Sequence, residues 1–241
     1  MILLPVLLSL TAILFPSCGD AQRVSFQSLS TKLEKAQREI VDKHNALRAQ
    51  ASPPATNMLK MQWSKEAQKT AQAWADQCTL DHSEQKDRTI GTVCGENLFM
   101  SSASLSWTDA VQAWYDEYKH FEFGKGSTTG EAVGHYTQVM WYASHQLGCA
   151  VAECPKASYK YYYVCHYCPA GNVLPRKNSP YEIGTSCAKC ANSCSNNLCT
   201  NPCSYTDGAS NCPKLKKQYS CNNPTVKTHC KASCQCTDKI Y

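Results

Sequence analysis

Charged side chains are scarce in this sequence, and beyond its first 15 residues it has no apolar run long enough to span a bilayer. Charged residues make up 18% of the 241 positions and hydrophobic residues 43%, a balance that excludes an intrinsically disordered chain. The G-x-S-x-G, P-loop, G-x-G-x-x-G and H-E-x-x-H motifs are also missing, so no motif indicates an α/β-hydrolase, a nucleotide-binding enzyme or that class of zinc protease. The Asn-x-Thr triplet at Asn223 contains Pro224, which excludes N-glycosylation there.

The 17 cysteines place the chain in an oxidising compartment, because cytosolic proteins rarely carry so many thiols. An odd number is unexpected in a secreted disulfide framework. The segment Met1–Phe15 has no charged side chain and is short for a bilayer span, which predicts a signal peptide over residues 1–21. Cleavage after Gly19 or Ala21 removes Cys18 and leaves 16 cysteines. The alternative is an uncleaved membrane anchor, but we expect a secreted, extracellular protein that does not span the membrane.

Cysteines and charge are unevenly distributed along the chain. Residues 22–186 hold six cysteines, whereas residues 187–241 hold ten, together with seven Lys and two Asp that account for the whole net charge of +5. So short and cysteine-rich a segment cannot bury a sufficient apolar core and must be held by disulfides. Pro175–Gly184 is typical of a connector between the two parts. The basic part is either a solvated surface or a surface that meets an acidic partner.

Hydrophobic periodicity in the larger part predicts helices followed by a late antiparallel sheet, an α+β domain. The first helix opens at a capping box formed by Thr31 and Glu34, and His44 and Asn45 interrupt its polar face. Three more helices are expected at 64–78, from Ser64 as N-cap, at 108–119 and from Gly134 to about 142, and two strands at 146–153 and 160–166.

Four polar side chains are candidates for a shared site: His82, Glu96, Glu117 and His135. Two His and two Glu could bind a divalent metal or form an acid/base pair. Spacing alone does not bring them together, because they are spread over more than 50 residues. The alternative is that the histidines are surface or capping groups and the glutamates lie on helix faces.

Several long motifs resemble those of one known family. They are EIVDKHNALR at 39–48, CGENLFMSS at 94–102, GHYTQVMWYAS at 134–144, YYVCHYCPAGNV at 162–173 and the ten-cysteine tail. The first four resemble signatures of the CAP superfamily, and the tail is similar to the cysteine-rich domain of the cysteine-rich secretory proteins (CRISPs). That family includes male reproductive-tract proteins and reptile venom proteins.

The resemblance implies a division of the chain into structural parts. An α-β-α sandwich, the CAP domain, would occupy residues 22–174, and a linker with a two-disulfide hinge would occupy 175–202. A small helical module similar to sea-anemone potassium-channel toxins (ShKT) would span 203–236, followed by a tail at 237–241. The implied disulfides are Cys78–Cys154, Cys94–Cys168, Cys149–Cys165, Cys187–Cys194, Cys190–Cys199, Cys203–Cys236, Cys212–Cys230 and Cys221–Cys234.

The resemblance also implies that His82, Glu96, Glu117 and His135 share a cleft. In some relatives the two histidines bind an ion similar to zinc, so Zn²⁺ or another divalent ion at His82 and His135 is expected as the cofactor. A metal-bound water could support hydrolysis, which makes a metal-assisted hydrolase the alternative function. The family as a whole implies a protein that is not an enzyme.

The first hypothesis for function is a secreted regulator that binds an ion channel or a cell-surface receptor. Lys214, Lys216, Lys217 and Tyr219 are the predicted contacts, because a Lys can enter or cap a cation pore while an aromatic anchors its rim. The alternative is that these lysines only solvate a disulfide knot. Adhesion to the sperm, egg or another cell surface and sterol binding are further alternatives. We expect a monomer with no nucleic-acid partner, acting in venom or in reproduction.

Overall fold

The computed structural model describes residues 23–174 and 176–241, so the predicted signal peptide lies outside the described residues. The α-helices of the described residues are α1 (Glu34–Ala49), α2 (Lys65–Ala75), α3 (Trp107–Asp116), α4 (Gly134–Val139), α5 (Cys212–Tyr219), α6 (Pro224–His229) and α7 (Lys231–Gln235). The strands are β1 (Gln62–Trp63), β2 (Gly95–Ser101), β3 (Phe121–Glu122), β4 (Gly126–Ser127), β5 (Gln146–Glu153), β6 (Tyr161–Cys168), β7 (Cys194–Ser195) and β8 (Leu198–Cys199).

A four-stranded sheet in the order β1-β5-β6-β2 forms the centre of the larger domain. β5 and β6 pair antiparallel along their whole length, from Gln146 opposite Cys168 to Glu153 opposite Tyr161. The β6 sequence YYYVCHYC favours a strand because it is rich in aromatic residues, and all eight of its residues are buried. β2 pairs with β6 and forms one edge of the sheet. A central strand buried on both faces requires helices on both sides.

Helices cover the two faces of this sheet. On one face α2 packs against β5 and β6 through Ala71 and Ala75. The approach is close, because a Cβ at Gly148 of β5 would overlap the backbone of α2. On the other face α1, α3 and α4 enclose the larger apolar core, which includes Ile40 and Trp107. The predicted α+β class and α-β-α sandwich are confirmed.

The predicted capping box at the start of α1 is wrong. The N-cap residue is Leu33, which makes no side-chain hydrogen bond, and the helix begins at Glu34. Thr31 is buried instead, and its carbonyl accepts hydrogen bonds from the side-chain amides of Gln37 at 2.7 Å and Gln68 at 2.9 Å. Tertiary contacts with α2 therefore replace the local cap that the sequence pattern indicates.

His44 and Asn45, which interrupt the polar face of α1 in the sequence pattern, are both buried. The Asn45 amide exchanges two hydrogen bonds with the backbone of Met61, at 2.8 and 3.0 Å. His44 Nδ1 lies 2.8 Å from the carbonyl of Ile40. Polar side chains tolerate burial when their donors and acceptors are paired, and the Asn45 pair also joins α1 to the segment before β1.

The remaining helix predictions differ from the structure chiefly at the C-terminal ends. Ser64 is the N-cap of α2, as predicted, and its Oγ accepts from the N–H of Ala67 at 3.3 Å. The helices end earlier than predicted, α2 at Ala75, α3 at Asp116 and α4 at Val139. The strand β2, which carries Glu96, is not predicted by the sequence pattern.

The C-terminal part consists of the β7–β8 hairpin followed by α5, α6 and α7. Eight disulfides connect the described cysteines: Cys78–Cys154, Cys94–Cys168, Cys149–Cys165, Cys187–Cys194, Cys190–Cys199, Cys203–Cys236, Cys212–Cys230 and Cys221–Cys234. Within residues 23–174 and 176–241, no helix is both long and apolar enough to cross a bilayer.

Candidate functional site

A cleft of about 470 Å³ lies along β2, at the edge of the sheet. Its walls come from the loop after α2, which carries His82, from β2 with Glu96, and from the start of α4 with His135. Glu117 follows α3 and contacts His135 beside the cleft. The structure thus brings the four candidate residues together as two pairs of one glutamate and one histidine.

Glu96 is the centre of the first pair and accepts four hydrogen bonds. Its Oε1 accepts from Nδ1 of His82 at 2.7 Å and from the N–H of Ser83 at 2.9 Å. Its Oε2 accepts from Oγ of Ser83 at 2.8 Å and from Nε2 of His166 at 2.9 Å. Burial opposes ionisation, but the hydrogen bonds from His166, His82 and Ser83 outweigh it and hold the pKa of Glu96 well below its usual range. Glu96 is therefore a buried, ionised residue that positions His82.

Glu117 holds the second histidine in a similar way. Its Oε1 lies 2.6 Å from Nδ1 of His135. Its Oε2 accepts from the backbone N–H groups of His135 at 2.9 Å and Tyr136 at 3.0 Å. The carboxylate thereby satisfies donors in the first turn of α4, which otherwise have no partner within the helix. One side chain fixes both the helix start and the orientation of the imidazole.

A buried chain of hydrogen bonds runs from the backbone of His135 into the core. The amide of Asn97 donates to the carbonyl of His135 at 3.1 Å and lies 3.3 Å from the hydroxyl of Tyr167. That hydroxyl lies 2.9 Å from Nε2 of His44. Because burial lowers the pKa of His44 to about 4, the imidazole is neutral and accepts from Tyr167. The chain connects α1, β6 and β2 to the wall of the cleft.

The two histidines of the cleft share one arrangement, in which Nδ1 contacts a carboxylate. Within the described ranges, Nε2 of His82 and Nε2 of His135 have no hydrogen-bond partner in the protein. A carboxylate on Nδ1 fixes the tautomer that leaves Nε2 as a ligand atom, as in histidines that bind metals. This donor set fits a divalent cation such as zinc.

Elsewhere in the described chain, Cys187, Cys190 and Cys199 form the one group of three or more potential metal ligands. Their sulfurs are in disulfides, so this group is not a metal site. At the cleft the protein supplies two nitrogen ligands, and solvent would complete the coordination of an ion.

The predicted contacts of the C-terminal module differ in their surroundings. Lys214 and Lys217 lie one turn apart on α5, and both are exposed. Lys216 instead donates from Nζ to the carbonyl of Ser233 at 2.6 Å, which joins α5 to α7. Tyr219 ends α5 and is 52% exposed. The structure therefore presents two free ammonium groups and one aromatic ring, while Lys216 has an internal contact.

His166 and Ser83 take part in the site but are not identified from the sequence. His166 lies on β6 directly opposite Glu96 of β2, and its side chain is fully buried. Its Nδ1 lies 2.8 Å from the hydroxyl of Thr70 on α2. The alternation of side chains along β6 places His166 on the face that packs against α2. This placement pairs His166 with Glu96 only once β2 is recognised as the neighbouring strand.

Comparisons with known proteins agree with the fold and the motifs. The family described as "Cysteine-rich secretory protein family" (CAP) matches residues 41–167, and the family described as "Crisp" matches residues 187–241. The chain is 51% identical over 243 residues to human cysteine-rich secretory protein 2, and 50% identical over 243 residues to the cysteine-rich venom protein helothermine from Heloderma horridum horridum. Both alignments cover all of this chain and all of the relative.

A solved structure of NaASP2 with Zn²⁺ has the same fold as the larger domain. It is 34% identical, covers 70% of this chain and 96% of its own, and has a TM-score of 0.58. Together the two family matches and the full-length relatives show that this chain belongs to the cysteine-rich secretory proteins of the CAP superfamily.

Proposed function

We propose that this protein acts outside the cell as a regulatory ligand that binds an ion channel or a cell-surface receptor through its basic C-terminal module. The observation that supports the proposal concerns which lysines of this module pair with a carboxylate. Residues 187–241 contain seven Lys, and among the described residues Lys189 is the one of them that pairs with a carboxylate, that of Glu182. Of the other six, Lys216 donates to the carbonyl of Ser233, and the remaining five offer positive charge to an external partner. Such charge accelerates the encounter with an acidic surface.

The contact face that we propose is centred on Lys214, Lys217 and Tyr219. Lys214 and Lys217 are three residues apart on α5, so they project from neighbouring positions of the helix surface. Tyr219 adds an exposed ring at the end of the same helix, and such aromatics often dominate interface energies. Lys216 contributes to the fold of the module through Ser233 rather than to this face.

The test is current recording with the full-length protein applied to the extracellular side of voltage-gated potassium channels and voltage-gated calcium channels. The Lys214→Ala/Lys217→Ala variant is expected to need at least about tenfold more protein for the same effect. The matched control is Lys32→Ala/Lys35→Ala. It removes from the CAP domain two exposed lysines that are also three residues apart. Equal potency of the first variant and the wild type contradicts the proposed contact face. No wild-type effect on either channel class contradicts binding to these channels and leaves a cell-surface receptor as the partner.

We also propose that the cleft binds a divalent cation through Nε2 of His82 and Nε2 of His135. The paired glutamates support binding rather than hydrolysis. Glu96 accepts four hydrogen bonds and Glu117 accepts three, so both carboxylates are engaged in holding the histidines and the adjoining backbone. The metal-assisted hydrolase is therefore the less favoured function. Adhesion to a cell surface and sterol binding stay predictions.

Titration calorimetry with ZnCl₂ tests the cation site. His82→Ala and His135→Ala are each expected to weaken binding at least about tenfold, because each removes one of two protein ligands. His229→Ala is the control, since His229 is exposed on the C-terminal module. Zn²⁺ should also raise the melting temperature of the wild type and of His229→Ala, but not of the cleft variants. Unchanged affinity in both cleft variants would place the ion elsewhere.

A further inference from the structure

The hinge brings sulfur atoms of two different disulfides close together. Cys187 is bonded to Cys194, and Cys190 is bonded to Cys199. The sulfurs of Cys187, Cys190 and Cys199 nevertheless all lie within 4.8 Å of one another. A thiolate formed at Cys187 would therefore adjoin the neighbouring disulfide, which is the arrangement that thiol–disulfide exchange requires.

The bonding partner of Cys187 in this hinge is exposed to solvent. Of the sixteen cysteines among the described residues, Cys194 alone is exposed. Its partner Cys187 is 5% exposed, and Cys190 and Cys199 are 5% and 1% exposed. A thiolate from solution would thus reach the Cys187–Cys194 bond at Cys194 and release Cys187 as the leaving group.

The hinge also offers an alternative set of partners. Cys194 on β7 lies directly opposite Cys199 on β8 in the antiparallel pair. Residues opposed in this way have Cα atoms about 4.5–5.5 Å apart, within the range that disulfides span. Cys187 and Cys190 are separated by two residues and joined by a turn, in which the N–H of Cys190 donates to the carbonyl of Cys187 at 2.8 Å.

We propose that the hinge is a thiol–disulfide exchange site, at which an extracellular low-molecular-weight thiol converts the pairs Cys187–Cys194 and Cys190–Cys199 into Cys187–Cys190 and Cys194–Cys199. The external thiolate attacks Sγ of Cys194, forming a mixed disulfide and releasing the thiolate of Cys187. That thiolate attacks Sγ of Cys190, which forms the first new bond and releases the thiolate of Cys199. The Cys199 thiolate attacks Sγ of Cys194 and expels the external thiolate, so no net oxidation or reduction occurs.

Exchange changes which segments of the hinge the disulfides connect. The native bonds tie the turn at 187–190 to the β7–β8 hairpin, whereas the exchanged bonds close each segment on itself. Both segments also contact the CAP domain: the N–H of Lys189 donates to the carbonyl of Thr56 at 3.0 Å, and that of Cys199 to the carbonyl of Met58 at 2.7 Å. Without the cross-links these contacts open independently, and the C-terminal module gains freedom relative to the sandwich.

The test is incubation of the folded full-length protein with millimolar reduced glutathione, followed by alkylation at timed intervals. Digestion after Lys189 and Leu198 cuts the hinge into three peptides that stay joined only by disulfides. The first contains Cys187, the second Cys190 and Cys194, and the third Cys199. Fragmentation of the middle piece between Cys190 and Cys194 then shows which sulfur carries which partner. We expect a glutathione adduct at Cys194 that forms at least about tenfold faster than at any other cysteine, followed by the Cys194–Cys199 pair and loss of the adduct.

Two double variants separate this site from general reduction. Cys187→Ser/Cys194→Ser removes the attacked bond and should abolish the fast adduct. Cys221→Ser/Cys234→Ser removes a partly exposed bond outside the hinge and should leave the adduct rate unchanged. If either variant fails to fold, the wild-type time course decides alone. First labelling at another cysteine, an adduct without new pairs, or formation of Cys187–Cys199 with Cys190–Cys194 would each overturn the proposal.

Discussion

Arg48 is a buried cation whose partners are all backbone carbonyls. It is 1% exposed and donates to the carbonyls of Leu59, Val139, Trp141, Tyr142 and Ser144 at 2.6–3.2 Å. Burial lowers the pKa of Arg48 to about 9, so the guanidinium stays charged at neutral pH. These bonds hold the end of α4 and the following loop against the segment before β1. Arg48 therefore helps to position α4, which carries His135.

Arg48→Met is expected to lower the free energy of unfolding by at least about 3 kcal/mol, because it leaves several buried carbonyls without donors. The measurement is guanidinium denaturation at pH 7 with the disulfides intact. Arg38→Met on the same helix is the control, since Arg38 is exposed and pairs only with Glu34, and its effect should stay within about 0.5 kcal/mol. Equal effects of the two variants would contradict the role given to Arg48.

Because His44 is buried, we expect the protein to lose stability in mild acid. Burial lowers its pKa from 6.5 in the unfolded chain to about 4 in the folded protein. Between these values the unfolded state binds more protons, so stability is full above pH 6.5 and falls as the pH approaches 4. The contribution is on the order of 3 kcal/mol. Denaturation at several pH values should show a shallower pH dependence in His44→Gln than in the wild type.

His120→Gln serves as the comparison for this slope, because His120 is only partly buried in the short helical turn after α3. Its pH dependence should match that of the wild type. Burial also lowers the pKa of His145, but both variants retain that residue, so the difference between slopes isolates His44. A slope for His44→Gln equal to that of the wild type would show that His44 does not account for the acid sensitivity.

At the scale of elements, strands with a strong local signal could be predicted and β2 could not. β5 matches its predicted range of Gln146–Glu153, and β6 differs by only one or two residues at each end. The β2 sequence GENLFMS contains no β-branched residue and begins with Gly95, so its strand preference is weak. It becomes a strand by pairing with seven residues of β6. This tertiary pairing, and not local preference, places Glu96.

The same reasoning explains which parts of the site could be predicted. The types of the four candidate residues indicated only a possible metal or acid/base site, and the family resemblance implied that they share a cleft. Their pairing as His82 with Glu96 and His135 with Glu117 follows from the sheet edge that positions them. Sequence patterns contain no information on hydrogen bonds between residues so far apart. For that reason His166 was not identified, although it is one of the hydrogen-bond donors that keep Glu96 ionised.

On the scale of the whole molecule, the hinge is attached to the CAP domain by backbone hydrogen bonds as well as by the chain. The N–H of Lys60 donates to the carbonyl of Cys199 at 2.8 Å, and Ala55 pairs with Ile183 in an isolated bridge. A connector rich in Pro and Gly suggests a free tether, but these bonds join it to the sandwich. Cross-domain bonds of this kind restrict how the hinge can move relative to the sandwich.

Tyr142 is a further attachment, and it links the CAP domain to the end of the chain. Its hydroxyl donates to the carbonyl of Tyr241 at 2.9 Å. The last residues in turn hold the start of the terminal module, because the N–H of Cys203 donates to the carbonyl of Ile240 at 2.8 Å and the N–H of Ile240 donates to that of Asn201 at 3.1 Å. Loss of the Tyr142 hydroxyl should therefore loosen the module without disturbing the sheet.

Tyr142→Phe is expected to accelerate amide hydrogen exchange at Cys203 and Ile240 about fivefold, which corresponds to one lost hydrogen bond of about 1 kcal/mol. The amides of β5 and β6 should exchange at unchanged rates, since the ring still packs in the core. Tyr159→Phe is the control, because Tyr159 is 47% exposed and belongs to the loop between those strands. Unchanged exchange at Cys203 and Ile240 would show that the hydroxyl does not hold the module. Acceleration throughout the sheet would mean instead that the substitution weakens the CAP domain as a whole, because the terminal module would then loosen as a consequence of global unfolding rather than of a lost attachment.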